Sequence, residues 1–258
     1  MDLKNYIKPF KMFGNLYFVG NKRVSVHMIK TEEGYIMIDT GWPDMYDDII
    51  ENMKALEIKP EEICAIFHSH GHIDHFGCTQ KFKELSGAKT YISRIDNDIV
   101  NGKLDLSWAN EANLPKLPFF DCDVLIEDGD TFTFGTTTVR CVHTPGHTDG
   151  VMSFFINVTD GKETYIAGMH GGAGYNTLKS DFIERYGLST DCRKIYRESL
   201  RKIAKEHVDI FIGNHPDQSN TEEKSKGNAD VVDANEMQRF LDQLEETIDI
   251  FEKREWNI

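Results

Sequence analysis

Phe67-His68-Ser69-His70-Gly71-His72-Ile73-Asp74-His75-Phe76-Gly77-Cys78 is the stretch on which the reading of this chain turns. Positions 70–75 set three His and one Asp in the pattern His-x-His-x-Asp-His. Imidazole nitrogen and carboxylate oxygen both suit Zn(II), and a short loop can aim several such groups at one point. Without a cation these side chains would have no common partner, so the stretch reads as a metal site rather than a solvated polar loop. The compact apolar run Ile63 to Phe67 directly precedes it and reads as a buried parallel strand. The loop therefore springs from a strand's C-terminal end, the edge at which open α/β sheets collect ligands.

Upstream, Leu16 to Gly20, Val24 to Thr31 and Tyr35 to Asp39 read as short strands punctuated by Gly14, Gly20 and Gly34. The third places the Asp39 carboxylate at a strand tip. Met45 to Leu56 carries helical apolar spacing. Downstream, a helix is expected at Thr79 to Leu85, a strand at Lys89 to Ser93 and a short helix near Asp96 to Val100. Asn101 to Asp121 lacks periodicity but holds Trp108, Leu114, Phe119 and Phe120, either a functional loop or a surface wrap with aromatic anchors. Asp123 to Glu127, Thr131 to Phe134 and Thr137 to His143 read as a β-meander, followed by strands at Met152 to Asn157 and Glu163 to Ala167. A long amphipathic helix spans about Thr190 to Glu206, and a strand at Val208 to Gly213 precedes a polar linker. A closing helix at about 235–253 carries the stripe Met237, Leu241, Leu244, Ile248, Phe251, read as core packing. This order suggests one domain over residues 1–258, built as two α/β halves packed sheet to sheet with the site at their seam.

Two later strand ends also offer His: Pro145-Gly146-His147 and Asn214-His215-Pro216. A lone strand-end His is usually a satisfied surface or core residue. These two gain weight because each follows a predicted strand, as the first motif does. His143 reads as structural, His68 as adjacent to the site or supporting it, and His170 as ambiguous; His27 and His207 lack such context.

The chain of 258 residues carries a formal charge of −14, which two divalent cations would bring to −10. That balance, with no basic stripe, disfavours nucleic acid and anionic membranes as partners. No apolar run approaches the ~20 residues of a membrane helix. The start Met1-Asp2-Leu3-Lys4-Asn5-Tyr6 shows neither a basic nor an apolar leader region, so the expected location is cytoplasmic, or periplasmic or secreted had a leader been removed. Five Cys without a Cys-x-x-Cys pair argue against a disulfide framework.

The set Asp39, His70-x-His72-x-Asp74-His75, His147 and His215, in that order, resembles the metallo-β-lactamase superfamily from about Phe13 to His215. The resemblance implies an αβ/βα sandwich of two mixed β-sheets flanked by helices, with two Zn(II) ions. His70, His72 and His147 would bind the first ion, and Asp74, His75 and His215 the second, with Asp39 orienting a ligand His. Thioesterase, lactonase and tRNA-processing members carry a bridging Asp where this chain reads Gly168-Met169. Its loss is similar to the third subclass of class B β-lactamases, as are Gly146-His147-Thr148-Asp149-Gly150 and Gly174-Tyr175. Members of that subclass often carry a Ser-x-Ser pair where this chain reads Met169-His170-Gly171. Periplasmic members carry a signal peptide and often a late disulfide, neither of which is seen here.

The implied activity is hydrolysis of a small molecule, with a metal-bound hydroxide attacking a carbonyl and Asp74 orienting it, and β-lactam rings as the leading substrate. Hydrolysis of another ester, lactone or thioester stays open, as does a zinc-binding protein without catalysis. Met169, His170 and Tyr175 are expected to wall the substrate pocket. The sequence leaves the oligomeric state open.

Overall fold

The computed structural model describes residues 4–256. Its first sheet runs in the order β1 (Phe10–Phe13), β2 (Leu16–Phe18), β3 (His27–Thr31), β4 (Gly34–Ile38), β5 (Ile63–Phe67), β6 (Lys89–Ser93) and β7 (Val124–Ile126). Strands β1 to β4 pair antiparallel and β4 to β7 parallel. The second sheet takes β8 (Thr131–Phe134), β9 (Thr137–His143), β10 (Met152–Thr159), β11 (Thr164–Met169) and β12 (Ile210–Phe211). It is antiparallel except for the parallel pair β11 and β12.

Alternation along each strand explains the layering. In β4, Ile36 and Ile38 face the second sheet, while Tyr35 and Met37 face helices; in β5, Ala65 and Phe67 face inward and Ile66 outward, and a register shift against β4 turns Ile63 outward too. The inter-sheet core joins these inward residues to Val139, Cys141, Phe154, Ile156 and Ala167 of the second sheet. Phe67 sits at its centre, stacked on Tyr91 at 4.3 Å and meeting Phe132, Phe134 and Phe154 edge-on. Burying one such ring contributes about 1.5–3 kcal/mol. The strand that launches the His-rich loop is thereby anchored in the middle of the sandwich.

Helices α1 (Tyr46–Ala55), α2 (Ile73–Phe76), α3 (Thr79–Ser86) and α4 (Asn97–Val100) belong to the first half. Met45, which precedes α1, and Ile49 and Met53 within it, spaced one turn apart, pack with Phe82 of α3 on the outer face of the first sheet. Helices α5 (Ser180–Tyr186), α6 (Asp191–Ile203), α7 (Thr221–Ser225) and α8 (Glu236–Lys253) follow in the second half. Tyr196, Leu200 and Ile203 of α6 pack with Met237, Leu241, Leu244, Ile248 and Phe251 of α8 on the second sheet. The expected αβ/βα sandwich is the observed one. No helix among the described residues is long and apolar enough to cross a membrane.

Three expectations need correction. The meander does not form, because β7 pairs parallel with β6 in the first sheet while β8 and β9 belong to the second. An apolar run shows that a strand exists, not which edge it joins, and a long connection frees β7 from its sequence neighbours. The strand expected at Val208 to Gly213 narrows to Ile210–Phe211, since the parallel partner β11 pairs only there. Strand β1 and helices α5 and α7 were not anticipated; β1 pairs antiparallel with β2, and α5 and α7 are too short to show periodicity.

Candidate metal centre

Each side chain of the site sits on a loop at one edge of the sandwich. His70 and His72 follow β5, and Asp74 and His75 ride on α2 one turn later. His147 follows β9 across the turn at Gly146, whose φ of 136° is open to glycine and whose Cβ would meet Tyr196 at 2.4 Å. His215 follows β12.

The six donors form two groups, His70 with His72 and His147, and Asp74 with His75 and His215; within each group the ligand atoms lie within 4.8 Å of one another. In the first group, His70 Nε2 lies 3.1 Å from His72 Nδ1, which lies 3.0 Å from His147 Nε2. His70 Nδ1 donates to the Gly171 carbonyl at 2.8 Å, and His147 Nδ1 donates to the Gly174 carbonyl. A neutral imidazole with its Nδ1 proton so used presents a bare lone pair at Nε2. His72 Nδ1 can donate to only one of the two lone pairs it faces, so another donor is needed between them. Tetrahedral Zn(II) at about 2.0–2.1 Å from nitrogen needs ligand atoms about 3.3 Å apart, which this spacing approaches. Burial first, and then the charges of neighbouring rings, hold His70 and His72 well below the usual imidazole range; burial lowers His147 to about 4. The rings stay neutral, the state in which they bind a cation.

The second group is electrostatically the reverse: the pKa of its His75 is raised, so a cation bound there would displace the proton at Nε2. Asp74 Oδ2 lies 3.3 Å from His75 Nε2 and 3.7 Å from His215 Nε2. His75 Nδ1 donates to Asp39 Oδ2 at 2.7 Å, and His215 Nδ1 donates to the Arg23 carbonyl at 2.8 Å, turning both Nε2 atoms toward Asp74. Burial alone would raise the Asp74 carboxyl, yet the neighbouring His75, His215 and His72 hold it well below the usual carboxylate range. Burial likewise opposes the charge on His75, while Asp74 and Asp39 raise its pKa. An ionised carboxylate with two inward-facing imidazoles suits a divalent cation, so both donor sets fit zinc.

A pocket of about 210 Å³ lies over both groups, lined by Trp42, Trp108, Gly174, Asn176 and Asn214 besides the donors. Asp39 supports it from beneath: its Oδ1 accepts from Ser69 N and its Oδ2 from Ser69 Oγ, both at 2.8 Å, besides the bond to His75. Asp96 ties the two ligand loops together, its Oδ2 accepting from Gly71 N at 2.8 Å and Thr148 Oγ1 at 2.6 Å; burial pushes its carboxyl up to about 6.

The expected pocket wall is not realised. Met169 is fully buried in the inter-sheet core, because it ends β11 with its side chain pointing between the sheets. His170 is fully buried as well, its Nδ1 accepting from Gly172 N and its Nε2 without a partner among the described residues. Tyr175 turns its ring onto Phe251 at 4.7 Å, while Gly174 and Asn176 on either side line the pocket. His68 lies beneath the loop, donating from Nδ1 to the His75 carbonyl. His143 donates from Nε2 to the Asp149 carbonyl, and His207 pairs with Asp209. Cys78 donates to the Trp42 carbonyl, and burial pushes its thiol up to about 12. All five Cys are free. Trp42, Ser69 and Asp96 were missed, since no local spacing marks them; Trp108 was marked only as one large apolar group among several.

The family model described as the metallo-beta-lactamase superfamily matches residues 19–160. A crystal structure of BJP-1, a subclass B3 metallo-beta-lactamase of Bradyrhizobium japonicum, superposes with a TM-score of 0.86 at 26% identity, covering 97% of this chain and 95% of that one. A curated protein of Aquifex aeolicus (strain VF5) is 34% identical over 122 residues, 46% of this chain and 53% of that protein. An N-acyl homoserine lactonase of Bacillus cereus is 28% identical over 166 residues, 55% of this chain and 60% of that protein. This chain spans about half the length of the curated relatives it matches first.

Proposed function

Because the chain belongs to the metallo-beta-lactamase superfamily, we propose that it is a zinc-dependent hydrolase whose reaction is the opening of a β-lactam ring. The observation that carries this reading is the pair of three-donor groups under one pocket. His70, His72 and His147 would hold one Zn(II), and Asp74, His75 and His215 a second. Zn(II) so held supplies Lewis acidity toward a carbonyl and lowers the pKa of water to about 7. The chain's own residues do the rest. The Gly171 and Gly174 carbonyls fix the His70 and His147 rings with Nε2 inward, and Asp39 does the same for His75. Asp74, which its imidazole neighbours keep ionised, would accept a hydrogen bond from the attacking water and orient it. Trp42 and Trp108 wall the pocket on its apolar side.

Two observations favour a β-lactam over other acyl compounds. Met169, buried between the sheets, leaves no carboxylate from the end of β11 to lie between the two groups. BJP-1, similar over 97% of this chain, is a subclass B3 metallo-beta-lactamase. Hydrolysis of a lactone is the second reading, favoured by the likeness to a lactonase over 55% of this chain.

The test is kcat/KM of the zinc-loaded protein on a chromogenic cephalosporin and on a lactone, each with a chelated control. Chelator-sensitive turnover of the cephalosporin at about 10⁴ M⁻¹s⁻¹ or above, within the usual enzyme range, supports the first reading. Turnover of the lactone alone at that level replaces it with the second. His70→Ala, Asp74→Ala and His215→Ala should each strongly reduce turnover, and full activity in all three overturns both.

A further inference from the structure

The connection between β2 and β3 meets the metal centre twice through one residue. The carbonyl of Arg23 accepts from His215 Nδ1 at 2.8 Å. The Arg23 guanidinium lies over the indole of Trp42, 5.3 Å from the ring centroid, within the range of a cation–π contact. Trp42 lines the metal-capable pocket and Arg23 does not, so the Arg23 side chain reaches that pocket only through the indole. Backbone touches a ligand; side chain touches a wall.

These two contacts are held independently. Val19 N donates to the Val26 carbonyl at 2.9 Å, Asn21 N to the Val24 carbonyl at 3.2 Å, and Arg23 N to Asn21 Oδ1 at 2.8 Å. Asn52 of α1 adds bonds from Nδ2 to the carbonyls of Val19 at 2.9 Å and Gly20 at 3.1 Å. None of these uses the Arg23 side chain, so the carbonyl that faces His215 keeps its place without it. Trp42 is fastened by its own main chain, its carbonyl accepting from Met45 N at 2.9 Å and from Cys78 Sγ at 3.0 Å. Those bonds fix the Trp42 backbone and leave the torsions of its half-buried side chain to whatever packs on the ring. Apolar neighbours from two core clusters cover part of that ring, and the guanidinium is the charged group laid over it.

Asp44 fixes the guanidinium in turn. Arg23 Nη1 donates to Asp44 Oδ2 at 2.8 Å, and Nη2 donates to Oδ1 at 3.0 Å. The Asp44 side chain is 67% exposed, so as an ion pair in water this contact adds little stability. Its effect is geometric. Two parallel bonds set the plane of the guanidinium, and a set plane is what a stack on an aromatic face requires. Pro43, with its locked φ, stands between Trp42 and Asp44, so the ring and the fork that serves it are joined by a stiff link.

We propose that Arg23, clamped by Asp44, is a positioning residue that holds the Trp42 indole in the pocket wall, and thereby governs how tightly substrate is held rather than how fast it reacts. The proposal rests on the hydrolase reading for the word substrate, but not for the hold on Trp42.

Two experiments separate the proposal from the reading beneath it. The first uses the full chain with Trp108→Phe and Trp256→Phe, which leave Trp42 as its one tryptophan. Arg23→Met keeps an unbranched stem and loses both charge and fork; it should raise acrylamide quenching of Trp42 and shift its emission to the red. The second compares zinc-loaded wild type, Arg23→Met, Asp44→Asn and the double variant on the chromogenic cephalosporin and on the lactone. KM should rise about two- to fivefold in Arg23→Met, the loss of one exposed cation–π contact expressed as an affinity ratio. The change in kcat should be smaller than that in KM, and zinc affinity against a chromophoric chelator should be kept. Asp44→Asn should move quenching and KM the same way by less, and the double variant should match Arg23→Met, since Asp44 acts through Arg23. Asp44→Asn also carries the test if Arg23→Met does not fold. Greater exposure of Trp42 without turnover of either substrate by any form removes the hydrolase reading and leaves the positioning role standing. Unchanged quenching in both single variants, additive effects of the two substitutions, or kcat and zinc affinity falling together with a rising KM overturns the proposal.

Discussion

Asp39 and His75 are joined by a 2.7 Å hydrogen bond between Oδ2 and Nδ1, with both side chains shut off from solvent. Asp39 directly follows β4 with a left-handed φ of 57°, and its carboxylate reaches the loop after β5. One carboxylate thus fixes the backbone of Ser69 and the ring orientation of His75. Such partners of ligating His typically change metal affinity 10- to 100-fold when removed. Asp39→Ala should leave one tight zinc site and weaken the other by about that factor. Competition with a chromophoric chelator measures it, and two sites of unchanged affinity would show that Asp39 has no such role.

Gly171 is the matching support on the other side. Its carbonyl accepts from His70 Nδ1 and from Asn214 Nδ2, both at 2.8 Å. A Cβ at this position would lie 1.9 Å from the Met152 carbonyl oxygen, so any side chain must push the segment away from β10. Gly171→Ala should lower the thermal midpoint by several degrees, as about 1–3 kcal/mol of overpacking does. It should also weaken the zinc site that includes His70. Wild-type stability together with wild-type zinc stoichiometry would contradict both expectations.

The parts of this site legible in the sequence are those compressed into a short span. His70, His72, Asp74 and His75 follow an apolar strand within six positions, so their joint aim follows from local geometry. His147 and His215 could be marked only as strand-end residues, and resemblance assigned them to one set or the other. The αβ/βα layering was readable because apolar runs alternate with helical spacing. The sheet that β7 joins was not, because parallel pairing with β6 depends on a long connection without periodicity. The pocket walls were hardest. Met169, at the expected bridging position, points between the sheets and His170 packs toward Tyr196 of α6, whereas Trp42 and Trp108 reach the pocket from loops whose paths only tertiary packing sets.

Asp96 offers a test of how the two loops are held together. Its Oδ2 accepts from Gly71, which lies between His70 and His72, and from Thr148, which follows His147. Asp96→Ala leaves two buried donors without an acceptor, at a cost of about 1–3 kcal/mol for each. Asp96→Asn keeps an acceptor oxygen and should recover part of that loss. The expected order of unfolding midpoints is wild type, then Asn, then Ala, and zinc affinity of the His70 group should follow it. Equal midpoints in all three would mean that the loops hold their positions without this tether.

Buried imidazoles outside the metal centre set a pH dependence of their own. His27 is fully buried in β3, with neither ring nitrogen partnered among the described residues and Phe18 packed edge-on at 5.7 Å. Burial lowers its pKa to about 3, with Lys224 acting in the same direction and Asp39 against it. A folded-state value below the unfolded 6.5 means that the unfolded chain takes up the proton first as pH falls. Stability from this group is therefore complete above about pH 6.5 and is lost progressively between there and about pH 3. At pH 5 the loss from His27 alone is about 2 kcal/mol. His27→Leu removes that term. In chelator, so that no zinc is linked to folding, wild type should lose about 2 kcal/mol more than the variant between pH 7.5 and pH 5 in denaturant unfolding. Equal losses would show that His27 takes its proton in the folded state, which requires water or an acceptor at one of its ring nitrogens.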